Sequence, residues 1–490
     1  MSTTGFATVP PPHSRARVLT THPDRDAALR DTLDLARRSP FYAERLAGAV
    51  ATSPEELPRL PITTKADLRA ASPWGLVAAP REELWHYHES TGTTGEPIAC
   101  WYRKEEFRIM GEAVARWYPE FVPGKILLDR FPGFAPIQFC LESALQLRGG
   151  CHIPCGNLSW DVPFPRALEF IRELRPHILG CLPLEMFLLR ELALTLGLDP
   201  RRDLSSLEMV ILAGAPLPPT MRRIVARDWN VSVREIYGSN ETLFLGASCE
   251  KGNLHLETSL FIAEVLDPDR LEPVETGTPG VFTITHFGPK AMPLVRYFTR
   301  DVIRVVPCEC GRPEPAVELC GRLDDAAQYA GRRLYTNDIL EAGYELADAN
   351  GSRVFFALLR RRGVLLRVEL EAPLARVDPR TIAEASDRLG VPVDVEVVRR
   401  GDLLDPTALV RTPKVYKPTQ IADWRGAGRK PLSIMEALLE WPTFDLKTSA
   451  RVLGRVLRTN RRRRRLLRDE APEAAGDTRP AQPIRSTVYR

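Results

Sequence analysis

The sequence predicts an α/β fold with a smaller α+β unit behind it. Three observations carry this. Short apolar runs alternate with helical patterns through the middle of the chain. The 490 residues exceed what a single hydrophobic core usually serves. After Asp324 the pattern changes, and strand-like runs surround one helix within about 100 residues.

The elements follow in order. Met1 to Pro12 is polar and proline-rich, without the basic-then-apolar pattern of a secretion signal, so residues 1–23 read as a disordered lead. Asp24 to Arg38 has Leu29, Leu33 and Ala36 on one side and reads as an amphipathic helix, ended by Pro40-Phe41-Tyr42. Ile126–Leu128, Ile178–Cys181, Val210–Leu212 and Val233–Tyr237 read as buried strands, with a helix from Arg166 to Leu174 between two of them. Phe261–Leu266 and Val281–Thr285 read as strands of a smaller antiparallel piece. Together these make residues 24–323 the large domain. Residues 324–425 form the second unit: two strand-like runs, Val354–Leu359 and Val364–Leu370, then a helix from Pro379 to Leu389 and a strand at Val391–Val398. Residues 426–490 are a basic extension, partly disordered, with a short helix from Ile434 to Glu440 and an arginine-dense stretch from Arg451 to Arg468.

Composition narrows the class. With 44% hydrophobic and 27% charged residues, the chain is that of a soluble globular protein. The net charge of +4 gives no ground for a nucleic-acid partner of the whole chain. No apolar run approaches the length needed to span a bilayer. Nine dispersed cysteines and no secretion signal point to a reducing cytoplasm rather than a disulfide framework.

The most informative stretch is Ser90-Thr91-Gly92-Thr93-Thr94-Gly95-Glu96-Pro97, directly after the aromatic run from Leu84 to Tyr87. Glycines allow a tight fold with N–H groups turned inward, and inward N–H groups plus hydroxyls make a concave anion site suited to nucleotide phosphates. A polar surface turn is the plainer alternative. Further on stand Gly214-Ala215-Pro216, then Tyr237-Gly238-Ser239-Asn240-Glu241, Tyr297-Phe298-Thr299-Arg300-Asp301 and Gly321-Arg322-Leu323-Asp324. Cys249 and His255 are five residues apart, and Cys308 and Cys310 form a Cys-x-Cys pair. Four N/S ligands in two close pairs suit a tetrahedral structural Zn²⁺, although the spacing is not CxxC and four ordinary side chains remain the alternative.

This ordered set resembles the adenylate-forming enzymes, in particular their phenylacetate-CoA ligase-like branch, which Leu60-Pro61-Ile62-Thr63-Thr64-Lys65 also matches. The resemblance covers about residues 25–425 and implies an AMP-forming ligase of a carboxylic acid. It implies that Ser90–Gly95 hold the phosphates of ATP, and that Glu241 holds Mg²⁺. Gly214, Ala215, Pro216, Tyr237 and Gly238 would wall the adenine, and Asp301 would accept from the ribose hydroxyls beside Arg322. A salt bridge from Asp301 to Arg300 or Arg304 is the structural alternative. Asp324 would be the hinge of a mobile C-terminal lid. Lys417, with Lys414 as rival, would bridge the carboxylate and the α-phosphate. The branch also carries similar Cys/His placements in part, which implies Zn²⁺ at Cys249, His255, Cys308 and Cys310. Two positions depart from the family: Glu96 stands where many members have Lys, and Tyr416 where a Gly usually precedes the lysine.

Phe134, Phe139 and Ile211 are candidate acid-pocket residues, and the aromatic pair favours an aryl or other specialised acid, core packing being the alternative. Coenzyme A is the acceptor the resemblance implies; an amine or a carrier-protein thiol would use the same first step. The arginine-dense stretch fits an acidic carrier protein, a membrane surface or a solvated tail. A degraded homologue that binds nucleotide without turnover is the other class, and Glu96 and Tyr416 are its arguments. Lys417→Ala is expected to abolish adenylation while leaving ATP binding in place, read by acid-dependent ATP–pyrophosphate exchange and by nucleotide titration.

Overall fold

The computed structural model describes residues 18–90, 96–157, 162–329, 331–370, 377–409, 419–426 and 430–439. The chain divides into a unit of residues 1–439 and a second of residues 440–490, and the second lies outside the described residues. With it lie the arginine-dense stretch and the end of the expected 426–490 extension.

In chain order the strands are β1 (Leu84–Glu89), β2 (Ala99–Arg103), β3 (Ile126–Asp129), β4 (Cys151–Pro154), β5 (Ile178–Cys181), β6 (Met209–Leu212), β7 (Ser232–Ser239), β8 (Leu243–Ser248), β9 (Leu254–Leu256), β10 (Phe261–Leu266), β11 (Gly280–His286), β12 (Tyr297–Val305) and β13 (Ala316–Arg322). One sheet of eleven strands runs β10-β11-β12-β13-β9-β8-β7-β6-β5-β3-β4. Its β4-β3-β5-β6-β7 half is parallel, and the half from β7 to β10 is antiparallel. β5 and β6 are buried along their whole length, and this is why ILGC and MVIL read as unbroken apolar runs. The helices Ile137–Arg148, Phe164–Leu174, Pro183–Thr195 and Pro219–Trp229 connect these strands. The expected separate antiparallel piece is a correction: β10 and β11 continue the same sheet, because β7 pairs on one edge in parallel and on the other with its hairpin partner β8.

The first helix runs Arg25–Ala36, capped by Asp24, with Leu29, Leu33 and Ala36 buried. β1 and β2 form a separate two-stranded sheet whose connecting loop is the Ser90–Pro97 stretch.

Beyond β13 come a hairpin, β14 (Ala327–Tyr329) with β15 (Arg332–Leu334), and the helix Thr336–Ala349. A four-stranded sheet follows, in the order β18-β17-β16-β19, made of β16 (Phe355–Arg360), β17 (Gly363–Leu370), β18 (Val393–Arg399) and β19 (Ile421–Asp423). Its one apolar core is continuous with that of the helices 164–174, 183–195 and 219–229. Tyr344 stacks on Phe187 at 5.4 Å.

Polar contacts fasten this packing. The helix Pro219–Trp229 follows Pro218, which offers no side-chain cap. Glu341, from the helix Thr336–Ala349, supplies one: its carboxylate accepts from Thr220 N at 2.9 Å and Thr220 Oγ1 at 2.8 Å. At the other end of these helices Asp228 meets Arg353 at 2.9 Å and Arg190 at 3.0 Å, and Asp348 meets Arg227 at 2.8 Å. Glu341→Ala is expected to cost about 1–3 kcal/mol, the loss of a buried cap that leaves Thr220 N–H unpaired. Equilibrium urea denaturation of the two proteins checks it.

Candidate active site

The site is organised by the turn between β7 and β8, where the parallel and antiparallel halves of the sheet meet. Gly238 is needed there by the hairpin alone, since a Cβ would stand 2.1 Å from the Leu243 carbonyl oxygen. Ser239 N–H donates to Thr242 Oγ1 at 3.2 Å. Asn240 Nδ2 donates to the carbonyl of Glu89, the last residue of β1. Ser90 N–H donates to Ile98 O at 3.0 Å, and Ser90 Oγ accepts from Ile98 N–H at 2.9 Å. These contacts hold the base of the β1–β2 loop against the Tyr237–Thr242 turn. Thr91, Gly92, Thr93, Thr94 and Gly95 lie outside the described residues. Glu96 is exposed, and its carbonyl accepts from Arg69 Nε at 3.1 Å.

Glu241 is 6% exposed at its side chain. Leu68, Ile98, Tyr102, Met292 and Leu294 line a small cavity against it. Lys65 Nζ stands 3.2 Å from its Oε1. Lys65 is fixed by its place at the start of the helix Lys65–Ala71, where Thr64 and Asp67 cap each other reciprocally. Burial alone would raise the Glu241 carboxyl, but the Lys65 ammonium, its own backbone N–H and Ser239 outweigh that and hold it below 4.5. Oε1 accepts no well-aligned hydrogen bond among the described residues, so a lone pair remains for a hard cation. Mg²⁺ therefore fits this carboxylate.

Asp301 lies on β12 opposite Arg322 on β13. It accepts from the Tyr237 hydroxyl at 2.8 Å. Burial raises its carboxyl, and Arg322 opposes the rise. The neighbouring arginines are engaged elsewhere: Arg300 Nε donates to both oxygens of Asp324 at 2.8 and 2.9 Å, and Arg304 pairs with Glu318. The adjacent salt bridge left open by the sequence therefore does not form. Gly214 adopts φ 81°, and with Ala215 it is exposed just beyond β6, while Pro216 is half-buried.

Phe134 is 53% exposed, whereas Ile211 is fully buried in the core. Phe139 packs at 4.5 Å against His86, and Phe134 at 5.4 Å against His88. Lys414 and Lys417 lie outside the described residues. Sequence reading gave no role to Lys65, Asn240, His86 or His88. The two histidines were findable, because alternate residues of a strand share one face.

Cys249, His255, Cys308 and Cys310 come together with all four ligand atoms within 4.8 Å of one another. Tetrahedral Zn²⁺ with ordinary bond lengths sets S···S at roughly 3.8 Å and S···N at roughly 3.5 Å. Cys249 Sγ to Cys308 Sγ is 3.8 Å, and Cys310 Sγ to His255 Nε2 is 3.4 Å. His255 Nδ1 sits 2.7 Å from the Glu314 carbonyl, which fixes the proton there and leaves the Nε2 lone pair facing the thiols. Burial lowers the imidazole, keeping it neutral as a ligand must be. The donor set fits zinc. The sheet explains the meeting: β9 carries His255 opposite Ala316 of β13, just after the Cys308–Cys310 segment.

Residues 86–292 match the family model described as AMP-binding enzyme. A phenylacetate-coenzyme A ligase of Thermus thermophilus is 32% identical over 359 residues, spanning 69% of this chain and 79% of that protein. A phenylacetate-coenzyme A ligase of Pseudomonas putida is 28% identical over 68% of this chain and 77% of its own. Among solved structures, 2-hydroxyisobutyryl-CoA ligase in the postadenylation state, in complex with R3-HIB-AMP, superposes with a TM-score of 0.70. It covers 86% of this chain and 95% of its own at 22% identity, a likeness of fold.

Lys65→Met is expected to destabilise the protein by about 3 kcal/mol at pH 7, because it leaves the buried Glu241 charge uncompensated. In the wild type, Glu241 is held low, so its contribution is present above 4.5 and is lost as pH falls through the folded value. In the variant the carboxyl rises and protonates more readily. The gap between the two proteins therefore begins to narrow as pH falls through the variant's raised value, above 4.5, and goes on narrowing through the wild type's lowered one, and paired urea titrations at pH 7 and pH 4 read it.

Proposed function

The chain belongs to the phenylacetate-CoA ligase-like branch of the AMP-binding enzymes, and from that premise we propose that it activates a carboxylic acid as its adenylate and passes the acyl group to coenzyme A. The observation that carries the reading is the convergence at the β7–β8 turn. Tyr237, Asn240 and Glu241 of that turn meet partners from other parts of the chain: Asn240 meets Glu89 at the end of β1, Glu241 meets Lys65, and Tyr237 meets Asp301, which lies opposite Arg322.

In the first step a carboxylate oxygen of the acid bonds to the α-phosphorus of ATP. The bond from that phosphorus to the bridging oxygen breaks, and the electron pair leaves with pyrophosphate. Two anions must be held together, so fixed positive charge and N–H donors supply much of the rate. The Ser90–Gly95 loop takes the phosphates. Lys65, half-buried beside Glu241, is the cation that compensates for Glu96 at the usual lysine position. When bound at Glu241, Mg²⁺ supplies divalent charge against the phosphate oxygens. Asp301 orients the ribose, and Gly214–Pro216 with Tyr237 wall the base. Lys417 comes late, on the 324–425 lid turning about Asp324.

In the second step the thiolate of coenzyme A attacks the acyl carbonyl carbon and AMP leaves with the electron pair. The named activity of the Thermus and Pseudomonas relatives supports coenzyme A over an amine or a carrier-protein thiol. An aromatic acid is favoured by Phe134 and Phe139. Cys249, His255, Cys308 and Cys310 would hold a structural Zn²⁺, their four side chains supplying all the ligands that a closed site needs.

ATP–pyrophosphate exchange across a panel of aryl, aliphatic and amino acids tests the first step, and exchange dependent on one acid class is expected. Adding coenzyme A should then convert exchange into net AMP release. No exchange with any acid, in protein that still binds ATP, would sink the reading. Elemental analysis is expected to give one zinc per chain, and Cys308→Ser should lower both that content and the melting temperature.

A further inference from the structure

β1 carries His86 and His88 on the same face, two residues apart, with Ser90 next on that face. His88 therefore stands roughly 7 Å before the start of the phosphate loop. The two imidazoles are stacked, 11° from parallel, with ring centres 5.4 Å apart. Phe139 packs edge-on against His86, and Phe134 lies 5.4 Å from His88.

The hydrogen bonds fix the direction of the pair. His88 Nδ1 faces the Phe134 carbonyl oxygen at 3.1 Å, and a carbonyl only accepts, so His88 Nδ1 carries the proton. Burial holds both imidazoles below 6.5 and hence neutral, so His88 Nε2 is a lone pair. His86 Nδ1 lies 3.3 Å from that nitrogen and must donate to it. His86 Nε2 is then a lone pair as well. Among the described residues no donor meets it. His86 is half-buried, and the Glu142 carboxylate opposes the effect of burial, which still holds the ring neutral.

We propose that His86 Nε2 is the specificity element of the acid pocket, and that the acid this enzyme activates is aromatic and carries a hydroxyl or amino group that donates to it. The inference rests on the adenylation reading above. Phe134 and Phe139 supply the flat apolar walls. The backbone carbonyl of Phe134, acting through His88, orients His86, so His88 is a positioning residue. A ring without a donor leaves the His86 lone pair desolvated and unpaired, and a site built to hydrogen-bond rejects such an analogue strongly.

The test is acid-dependent ATP–pyrophosphate exchange on the full chain with matched pairs: benzoate and phenylacetate against their hydroxy- and amino-substituted forms at each ring position. A donor-bearing acid should exceed its unsubstituted partner in kcat/KM by roughly tenfold or more. His86→Phe, which keeps an aromatic ring, should bring that ratio toward one. His86→Gln, whose side-chain carbonyl still accepts, should restore part of it and keeps the test alive if the Phe variant fails to fold. Unsubstituted acids turned over as well as their substituted partners, or a preference unchanged in His86→Phe, would overturn the inference and leave the adenylation reading intact. No exchange with any acid would overturn both.

Discussion

The ion pair between Lys65 and Glu241 is the contact on which the arrangement of the site depends. A carboxylate walled by Leu68, Ile98, Tyr102, Met292 and Leu294 cannot remain charged without a cation. Lys65 meets that need from a helix start more than a hundred residues away in sequence. It ties the N-terminal segment to the β7–β8 turn and sets a positive charge beside Glu241. A lysine held by a helix cap is less free to wander than one on a glycine-rich loop.

Around that pair, backbone geometry leaves little latitude. Gly238 admits no side chain because the next strand passes within contact of where one would be. Asn240 uses its amide to anchor the end of β1 to the β7–β8 turn. Asp301 is kept from its neighbouring arginines by competing carboxylates at Asp324 and Glu318. Asp301 keeps its place beside the Tyr237 hydroxyl because those two acids engage the cations next to it.

The C-terminal α+β part is joined to the large body by apolar contacts and by charges placed at helix ends. Glu341 caps a helix that begins with two prolines and has no cap of its own, while Asp228 and Asp348 collect arginines at the far ends. The first contact exploits the unpaired N–H groups of a helix start. The docked arrangement is a specific one, since each of these partners must be in register.

The sequence by itself determined the fold class, the order of the motifs and the family. Those signals are local: an unbroken apolar run such as Met209–Leu212 announces a doubly covered strand. Pro379–Leu389 could be placed to the residue, because Asp378, the proline and Gly390 mark its ends chemically. The four zinc-ligand candidates were legible as two pairs, but their meeting was decided by β9 lying beside β13 in the sheet. The tertiary structure alone decided that β10 and β11 extend the main sheet, that Ile211 is spent on the core while Phe134 is exposed, that Lys65 meets Glu241, and that His86 and His88 meet beside Phe139 and Phe134. Each of these depends on a partner distant in the chain, and local periodicity carries no information about which distant surface a residue will face.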